Sequence, residues 1–356
     1  MSNDPAPGVS NSAQADKATR RAMLQGVALG TLASATAADA QQQVQVQVPA
    51  PDRLDWNPPL ILFARHLQWT DVEPAIAFAK EAGFDGIGWA VRGGAHIVPE
   101  DVEKKLPTVV ELTRKAGLSA PFLTTAILDD NSPRAEAIIA TMKGVGMTSY
   151  RAANFRYDYQ RDFRTQLEEY SARIGRLARL NEKYGVTALY HTHSYPGLVG
   201  GAVWDLWTMI RDFDPRFVGM NYDIGHATVR GGPGWFESAH LARRLIGSVT
   251  LKDFQWVHFP SAPFTGRWSP KYCRPGEGIV DFQGFFAYLK EINFRQPIEL
   301  YFEYEVYPPG KPPVNLLGTN FGSWKLEIPQ ADLLAAMRRD LAFYRGVIRT
   351  VNGVPD

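Results

Sequence analysis

From Leu60 onward the chain repeats one alternation eight times, a short apolar run followed by an amphipathic stretch, and nothing else in the sequence constrains the fold as strongly. The apolar runs are Leu60–Ala64, Phe84–Val91, Ala120–Leu128, Thr148–Ala153, Val186–His191, Phe217–Asp223, Ile246–Leu251 and Ile298–Glu303. Short runs with little polar alternation read as strands buried on both faces. The stretches between them predict helices over Val72–Ala82, with Asp71 as cap and Gly83 as stop, and over Pro99–Ala116. Further helices are predicted from Ser132 to Val145, with Pro133 at the first helical position, and over Gln160–Tyr184, Ala202–Asp212, Trp235–Leu245, Phe282–Ile292 and Gln330–Val351. Eight strand–helix pairs of about 35 residues predict an α/β fold, a single closed (β/α)8 TIM barrel over residues 58–356. A doubly wound open sheet is the alternative, but no Gly-x-Gly-x-x-Gly follows the first strand. Two long segments, Asp253–Asp281 and Glu305–Pro329, follow strands and are expected over the mouth of the barrel, as a lid or a subunit contact.

The segment before the barrel reads as an address. Arg20 and Arg21 precede the uncharged stretch Ala22–Ala38, and Ala38-Asp39-Ala40 is a small-x-small cleavage pattern. Residues 1–40 therefore resemble a twin-arginine export signal, which implies the twin-arginine machinery as a partner and a periplasmic location, and 41–57 is expected to be a linker. The stretch is too short and weakly apolar for a permanent membrane anchor. The single cysteine, Cys273, rules out an internal disulfide. Lys and Arg total 38 against 37 Asp and Glu, so the chain has no electrostatic reason to bind a polyanion, and nucleic acid is disfavoured as a substrate.

A barrel does its chemistry at the carboxyl ends of its strands. Polar residues there are Arg65 and His66 on the first, Arg92 and His96 on the second, Thr124 and Thr125 on the third, and Arg151, Asn154 and Arg156 on the fourth. The fifth offers His191 and His193, the sixth Asp223 and His226, the seventh Lys252 and Asp253, and the eighth Glu303 and Glu305. His191 and His193 are two apart on an extended chain and point to the same side. Gly225 permits a sharp turn that lets Asp223 and His226 converge. His191, Asp223 and Glu303 supply nitrogen and carboxylate ligands for a divalent metal, with Mn, Zn, Co or Mg as candidates. The alternative is a hydrogen-bonded polar ring without an ion. Arg65, Arg92, Arg151, Arg156 and Arg274 flank the mouth and suit a carboxylate, a phosphate or vicinal hydroxyls. Trp69, Trp89, Trp256 and Trp268 lie in or beside mouth loops, where some can stack on a sugar ring.

Three motifs, Tyr222–Ala227 (Tyr-Asp-Ile-Gly-His-Ala), Leu251-Lys252-Asp253 and Gly276–Phe282 (Gly-Glu-Gly-Ile-Val-Asp-Phe), resemble the xylose isomerase-like TIM-barrel superfamily of sugar isomerases and epimerases. The resemblance spans Leu60 to Arg349. In the metal-dependent epimerases of that superfamily, the ligands are Glu, Asp, His and Glu on strands five to eight. The matching positions here are His191, Asp223, Thr250 and Glu303, so two are kept and two are changed. A carboxylate often ends the second strand in the superfamily, but Gly88 stands at that place.

The two-glutamate proton shuttle therefore does not carry over whole. The expected function is an exported sugar isomerase or epimerase that removes a proton beside a carbonyl. Glu303, Lys252 and His191 are the catalytic candidates, and a divalent metal or Lys252 stabilises the enediolate. His193, His226, Arg92, His96, Arg65, Arg151 and Arg274 are expected to bind the sugar. A related lyase and a non-catalytic sugar-binding barrel with a degenerate metal site are the alternatives. A metallonuclease sharing this barrel needs a richer His/Glu cluster and a basic face. Homo-oligomerisation is expected by analogy alone.

Overall fold

The computed structural model describes residues 55–258, 268–306, 314–315 and 325–354. The chain divides into two units, 1–52 and 53–356, and the second holds the described residues. The predicted export signal and residues 41–54 of the predicted linker lie outside them. Residues 55–57 belong to the barrel's packing: buried Trp56 donates its indole N–H to Phe294 O at 2.7 Å. No helix among the described residues is long and apolar enough to cross a membrane.

Eight parallel strands close into a barrel: Leu60–Phe63, Gly86–Val91, Leu123–Thr125, Ser149–Ala152, Thr187–His191, Val218–Asp223, Ile246–Leu251 and Ile298–Leu300. Each strand pairs with its chain neighbours, and the eighth closes on the first through Leu60–Ile298 and Leu62–Leu300. The barrel is thus the predicted architecture, and the reason is the one legible in sequence. Parallel strands buried on both faces must be apolar throughout, and each needs a crossover helix to return the chain. Asp223, Thr250 and Glu299 lie side by side in register on the last three strands, so three polar side chains share one level of the barrel.

Local chemistry moves several predicted boundaries. Asp71 occupies the N-cap of Val72–Ala82 but makes no side-chain capping bond. The third helix begins at Ala135, not at Pro133, because Ser132 Oγ accepts the N–H groups of Leu128 and Asp129 and holds a turn there. An unpredicted helix, Ile224–Gly231, starts directly after the sixth strand and precedes Trp235–Ala242. Its N-cap is Asp223, whose Oδ1 accepts the His226 N–H at 2.8 Å. Gly225 therefore lies inside a helix instead of a turn. A Cβ there would sit 2.7 Å from both Cγ and O of Lys252, so glycine is required by close approach. The eighth strand ends at Leu300, which leaves Glu303 on the loop beyond it.

The long segment after the seventh strand is built and not loose. Asp253–His258 and Trp268–Cys273 pair as an antiparallel hairpin. Asp253 accepts the backbone N–H groups of Phe254, Gly276, Gly278 and Val280, with N···O distances from 2.8 to 3.2 Å. This gives the Lys-Asp and Gly-Glu-Gly motifs a structural role, since one carboxylate organises the return of the chain. A Cβ on Gly278 would lie 2.0 Å from Asp253 Oδ1 and 2.4 Å from Phe254 O. Gly278→Ala is expected to cost about 2–3 kcal/mol through this overlap, read as a lowered midpoint in urea unfolding; an unchanged midpoint would show that the loop is not fixed this way. Of the other long segment, Glu305–Val306 pairs with Val314–Asn315, and its remaining part up to Trp324 lies outside the described residues.

Candidate active site

The sixth and seventh strands set the centre of the site. Asp223 ends one and Lys252 follows the other, and both side chains are almost wholly buried. Lys252 Nζ lies 3.2 Å from Asp223 Oδ2 and donates to Glu303 Oε2 at 2.8 Å. An ammonium removed from water survives only where opposite charge replaces its hydration, and here two carboxylates do so. Burial opposes the charge on Lys252, but Asp223 and Glu303 outweigh it and hold the ammonium above its ordinary pKa. Burial likewise opposes ionisation of Glu303, and Lys252 outweighs it, so Glu303 stays below the usual carboxylate value. For Asp223 burial wins against Lys252 and lifts its pKa to about 6.

Three imidazoles stand beside this triad. The rings of His191 and His226 are 5.5 Å apart, and that of His193 stacks on His226 with centroids 4.1 Å apart. Burial first, then nearby Arg151, His193 and Lys252, hold His191 well below its usual pKa. Burial and Lys252 do the same for His226, and bring His193 to about 3. All three are therefore neutral at neutral pH, with lone pairs available.

The hydrogen bonds fix which nitrogens are available. His191 Nδ1 bonds Asn221 Oδ1, an acceptor, so its proton is there and Nε2 carries the lone pair. His226 Nδ1 faces Ser194 Oγ at 2.8 Å and Tyr272 OH at 3.3 Å. The Nε2 atoms of His191 and His226 are buried without a hydrogen-bond partner. They lie 3.8 and 3.9 Å from Asp223 Oδ2. Ligand atoms of all three histidines fall within 4.8 Å of one another. An ion bonded at about 2.1 Å spaces tetrahedral donors ~3.4 Å apart, so His191, His226 and Asp223 need only a small movement to hold one. His193 is less suited, because its Nδ1 already accepts the Tyr195 N–H at 3.1 Å. His191, His226 and Asp223 thus fit a divalent metal, whereas Glu303, expected as a ligand, accepts from Lys252 Nζ instead.

The site opens into a cavity of about 600 Å³ lined by Arg65, His193, His226, Trp256, Tyr272 and Glu303, among others. On the far side, Tyr301 stacks on Phe63 with centroids 4.7 Å apart, Arg151 donates from Nη1 to the Tyr301 hydroxyl, and Arg92 lies 5.5 Å over the Phe63 ring. Of the predicted site residues, His191, His193, Asp223, His226, Lys252 and Glu303 come together, with Arg65 on the same cavity and Arg92 and Arg151 beside Tyr301.

Two do not join them. His96 Nε2 bonds Thr70 O at 2.9 Å and its ring meets Trp89, so it ties a loop down. Arg274 pairs with Glu277 at 3.6 Å and lines a second hollow with Gln255, Lys271 and Tyr304. Thr250, at the altered ligand position, donates to Asn221 Oδ1 at 3.1 Å and so helps orient the amide that holds His191. Of the tryptophans, Trp89 is core, Trp69 donates to His66 O, Trp268 is exposed on the hairpin, and Trp256 lines the cavity.

Reading the strand ends missed Glu299. It sits in the eighth strand, wholly buried, and a Cβ on Gly88 would meet its Oε1 at 2.1 Å. Gly88 thus makes room for a carboxyl arriving from another strand. A lone acid inside the apolar run Ile-Glu-Leu was the available signal. Tyr272 and Tyr301 were also missed, because aromatics in a hairpin and a strand end read as core.

The family defined by this fold and site is matched over residues 76–320, and the chain belongs to it: the xylose isomerase-like TIM barrels. It is 27% identical over 168 residues, 44% of this chain and 52% of the relative, to an inosose dehydratase from Geobacillus kaustophilus. It is 26% identical over 122 residues, 34% of this chain and 38% of the relative, to the uncharacterised protein MJ1311 of Methanocaldococcus jannaschii. The chain therefore spans about half or less of these curated relatives. Among solved structures it is similar to a 3-keto-D-glucoside 4-epimerase from E. coli, with TM-score 0.56 and 16% identity over 81% of this chain and 99% of that one. It also resembles the IolI protein with a bound zinc atom, with TM-score 0.60 and 14% identity over 82% and 98%. A D-psicose 3-epimerase from Clostridium cellulolyticum gives TM-score 0.60 and 12% identity over 82% and 99%. At these identities the structural likenesses show the fold alone.

Proposed function

We propose that this chain is a sugar isomerase or epimerase that abstracts a proton next to a carbonyl and stabilises the resulting enediolate. The observation that carries this reading is the buried Lys252 ammonium between Asp223 and Glu303, at 3.2 and 2.8 Å, with Glu303 lining an open cavity. A divalent metal held by His191, His226 and Asp223 would polarise the substrate carbonyl and a neighbouring hydroxyl.

The chain's own groups supply the rest. Glu303, ionised at working pH, takes the proton from the carbon beside the carbonyl; the C–H electron pair becomes the new carbon–carbon double bond and the carbonyl π pair moves onto its oxygen. Lys252, held protonated, meets that developing negative charge as a fixed cation, which makes it a charge stabiliser more than a proton donor. Glu303 returning the proton to the carbonyl carbon, with the hydroxyl proton passing between the two enediol oxygens, gives the isomer; the epimer requires instead that solvent deliver a proton to the first carbon from the opposite face while Glu303 gives its proton back to solvent. Where a leaving group stands beside the carbanion, the same base leads to elimination, a second reading favoured by the dehydratase relative. Export to the periplasm, read from Arg20, Arg21 and the stretch after them, is part of the proposal and makes a free keto-sugar, a glycoside or a sugar acid the natural substrate class.

The test is solvent exchange. Incubated in D2O with D-psicose, D-glucuronate and an inosose, the full chain is expected to exchange the hydrogen beside a carbonyl of at least one substrate, followed by proton NMR. Glu303→Gln is expected to slow that exchange by about 10²–10⁴-fold. A wild-type chain silent on all three, or exchange untouched in Glu303→Gln, overturns the proposal.

A further inference from the structure

The cavity that opens from the site has two tiers. At about 600 Å³ it lies in the range of pockets that enclose a drug-sized ligand, which a single sugar ring does not fill. The inner tier is polar, with His193, His226, Tyr272 and Glu303 on the wall, and the Tyr272 hydroxyl stands 3.3 Å from His226 Nδ1. The outer tier is aromatic: Tyr195 on the loop after the fifth strand, Trp256 on the hairpin after the seventh, and Tyr159 before the fourth helix. The same short step leads from one tier to the other on two elements. Tyr195 follows His193 by two residues, and their rings meet edge to face with centroids 6.4 Å apart. On the hairpin, Phe254 pairs with Tyr272 and Trp256 with Pro270, two residues further along, a rise of about 7 Å. That rise is about the length of one sugar ring.

The outer rings are oriented but not covered. Tyr159 is 64% exposed, Tyr195 58% and Trp256 37%, and three large aromatics left open on one cavity mark a surface that meets a ligand. Trp256 packs edge to face against buried Phe254 at 5.7 Å, and Arg156 lies 6.0 Å over the Tyr195 ring. Arg230, which lines the same cavity, gives Nε and Nη2 to Ser194 O at 3.1 and 2.7 Å, so its donors are engaged within the protein. Flat aromatic faces in contact with water suit a neutral ring that is apolar on its faces and polar at its edges. Resting on the sugar-isomerase reading, we propose that the substrate is a glycoside of two neutral rings. The reacting sugar occupies the inner tier beside Glu303, and a second ring, joined through the glycosidic oxygen, stacks on Tyr195 and Trp256. The outer tier sets specificity and takes no part in the proton transfer.

Binding and turnover separate this inference from the reading beneath it. Calorimetric titration of the full chain with methyl β-D-glucoside, cellobiose, maltose and phenyl β-D-glucoside reads the second ring without requiring a reaction. At least one two-ring ligand is expected to bind about 10-fold or more tightly than the methyl glycoside. A disaccharide in that role marks a sugar in the outer tier, and the phenyl glucoside marks an aryl ring. The gain is expected to disappear in Tyr195→Ala and in Trp256→Ala and to return in part in Trp256→Phe. It is expected to persist in Trp268→Ala, whose exposed ring on the same hairpin does not line the cavity. Glu303→Gln is expected to keep the gain while losing exchange. Equal binding of all four ligands, no binding of any, or a gain that survives both alanine variants overturns the inference. Absence of exchange with the gain intact overturns only the functional proposal.

Discussion

Lys252→Met is expected to abolish turnover, lowering the solvent-exchange rate by at least about 10³-fold. The methionine fills nearly the same volume but leaves Asp223 and Glu303 buried and close together with no cation between them. Both carboxyls must then shift upward, so Glu303 becomes protonated near neutral pH and stops acting as a base. The same loss destabilises the fold by about 3–5 kcal/mol, because removing one partner of a buried ionic group costs more than the group ever contributed. Lys252→Arg is expected to fail as a rescue. Nζ lies 3.2 Å from Asp223 Oδ2 and 2.8 Å from Glu303 Oε2 in a buried place, so the larger guanidinium does not fit without moving both acids. Exchange by NMR and urea unfolding check the two halves separately. Normal turnover in Lys252→Met would remove the cation from the mechanism.

Glu299→Gln is expected to remove the pH dependence that Glu299 gives to stability. Its carboxyl sits at about 8 in the folded chain against an ordinary 4.5. Between these values the folded state holds a proton that the unfolded chain has already released. Stability from this group is therefore complete below about 4.5 and is lost as the pH rises towards 8, by up to about 1.4 kcal/mol per pH unit. Glutamine keeps the shape of the protonated acid and cannot ionise. The variant should match the wild type near pH 5 and exceed it by several kcal/mol near pH 8, measured by urea unfolding across that range. Parallel curves for the two proteins would place the Glu299 titration elsewhere.

Both expectations concern residues that differ in how far the sequence exposed them. Lys252 was legible, since it stands at a strand end inside a motif and such ends form the mouth of a barrel. Glu299 was marked only as a lone acid in the apolar run Ile-Glu-Leu, and nothing in that run tells that it faces a glycine on another strand. Gly88 was visible only as a missing carboxylate; the structure makes it the space that Glu299 fills. His96 was placed at the site by its strand end and Arg274 by its position in a mouth loop, yet Thr70 O holds one and Glu277 the other. Position along the chain fixes the end of the barrel that a side chain occupies. It does not fix the direction in which a loop turns that side chain.

What the sequence alone determined is the barrel. Eight apolar runs with amphipathic returns have one compact solution, because every strand must be covered on both faces and the period of each pattern is local. The gathering of His191, Asp223, Lys252 and Glu303 followed from that closure. What only the tertiary structure decided is which nitrogens remain bare and that the lysine lies between two acids. Those depend on separations of a few ångströms between residues far apart in the chain, as in His66 accepting from Phe302 across 236 positions. Electrostatics in a dry interior changes steeply over such distances, while hydrophobic patterning hardly registers them.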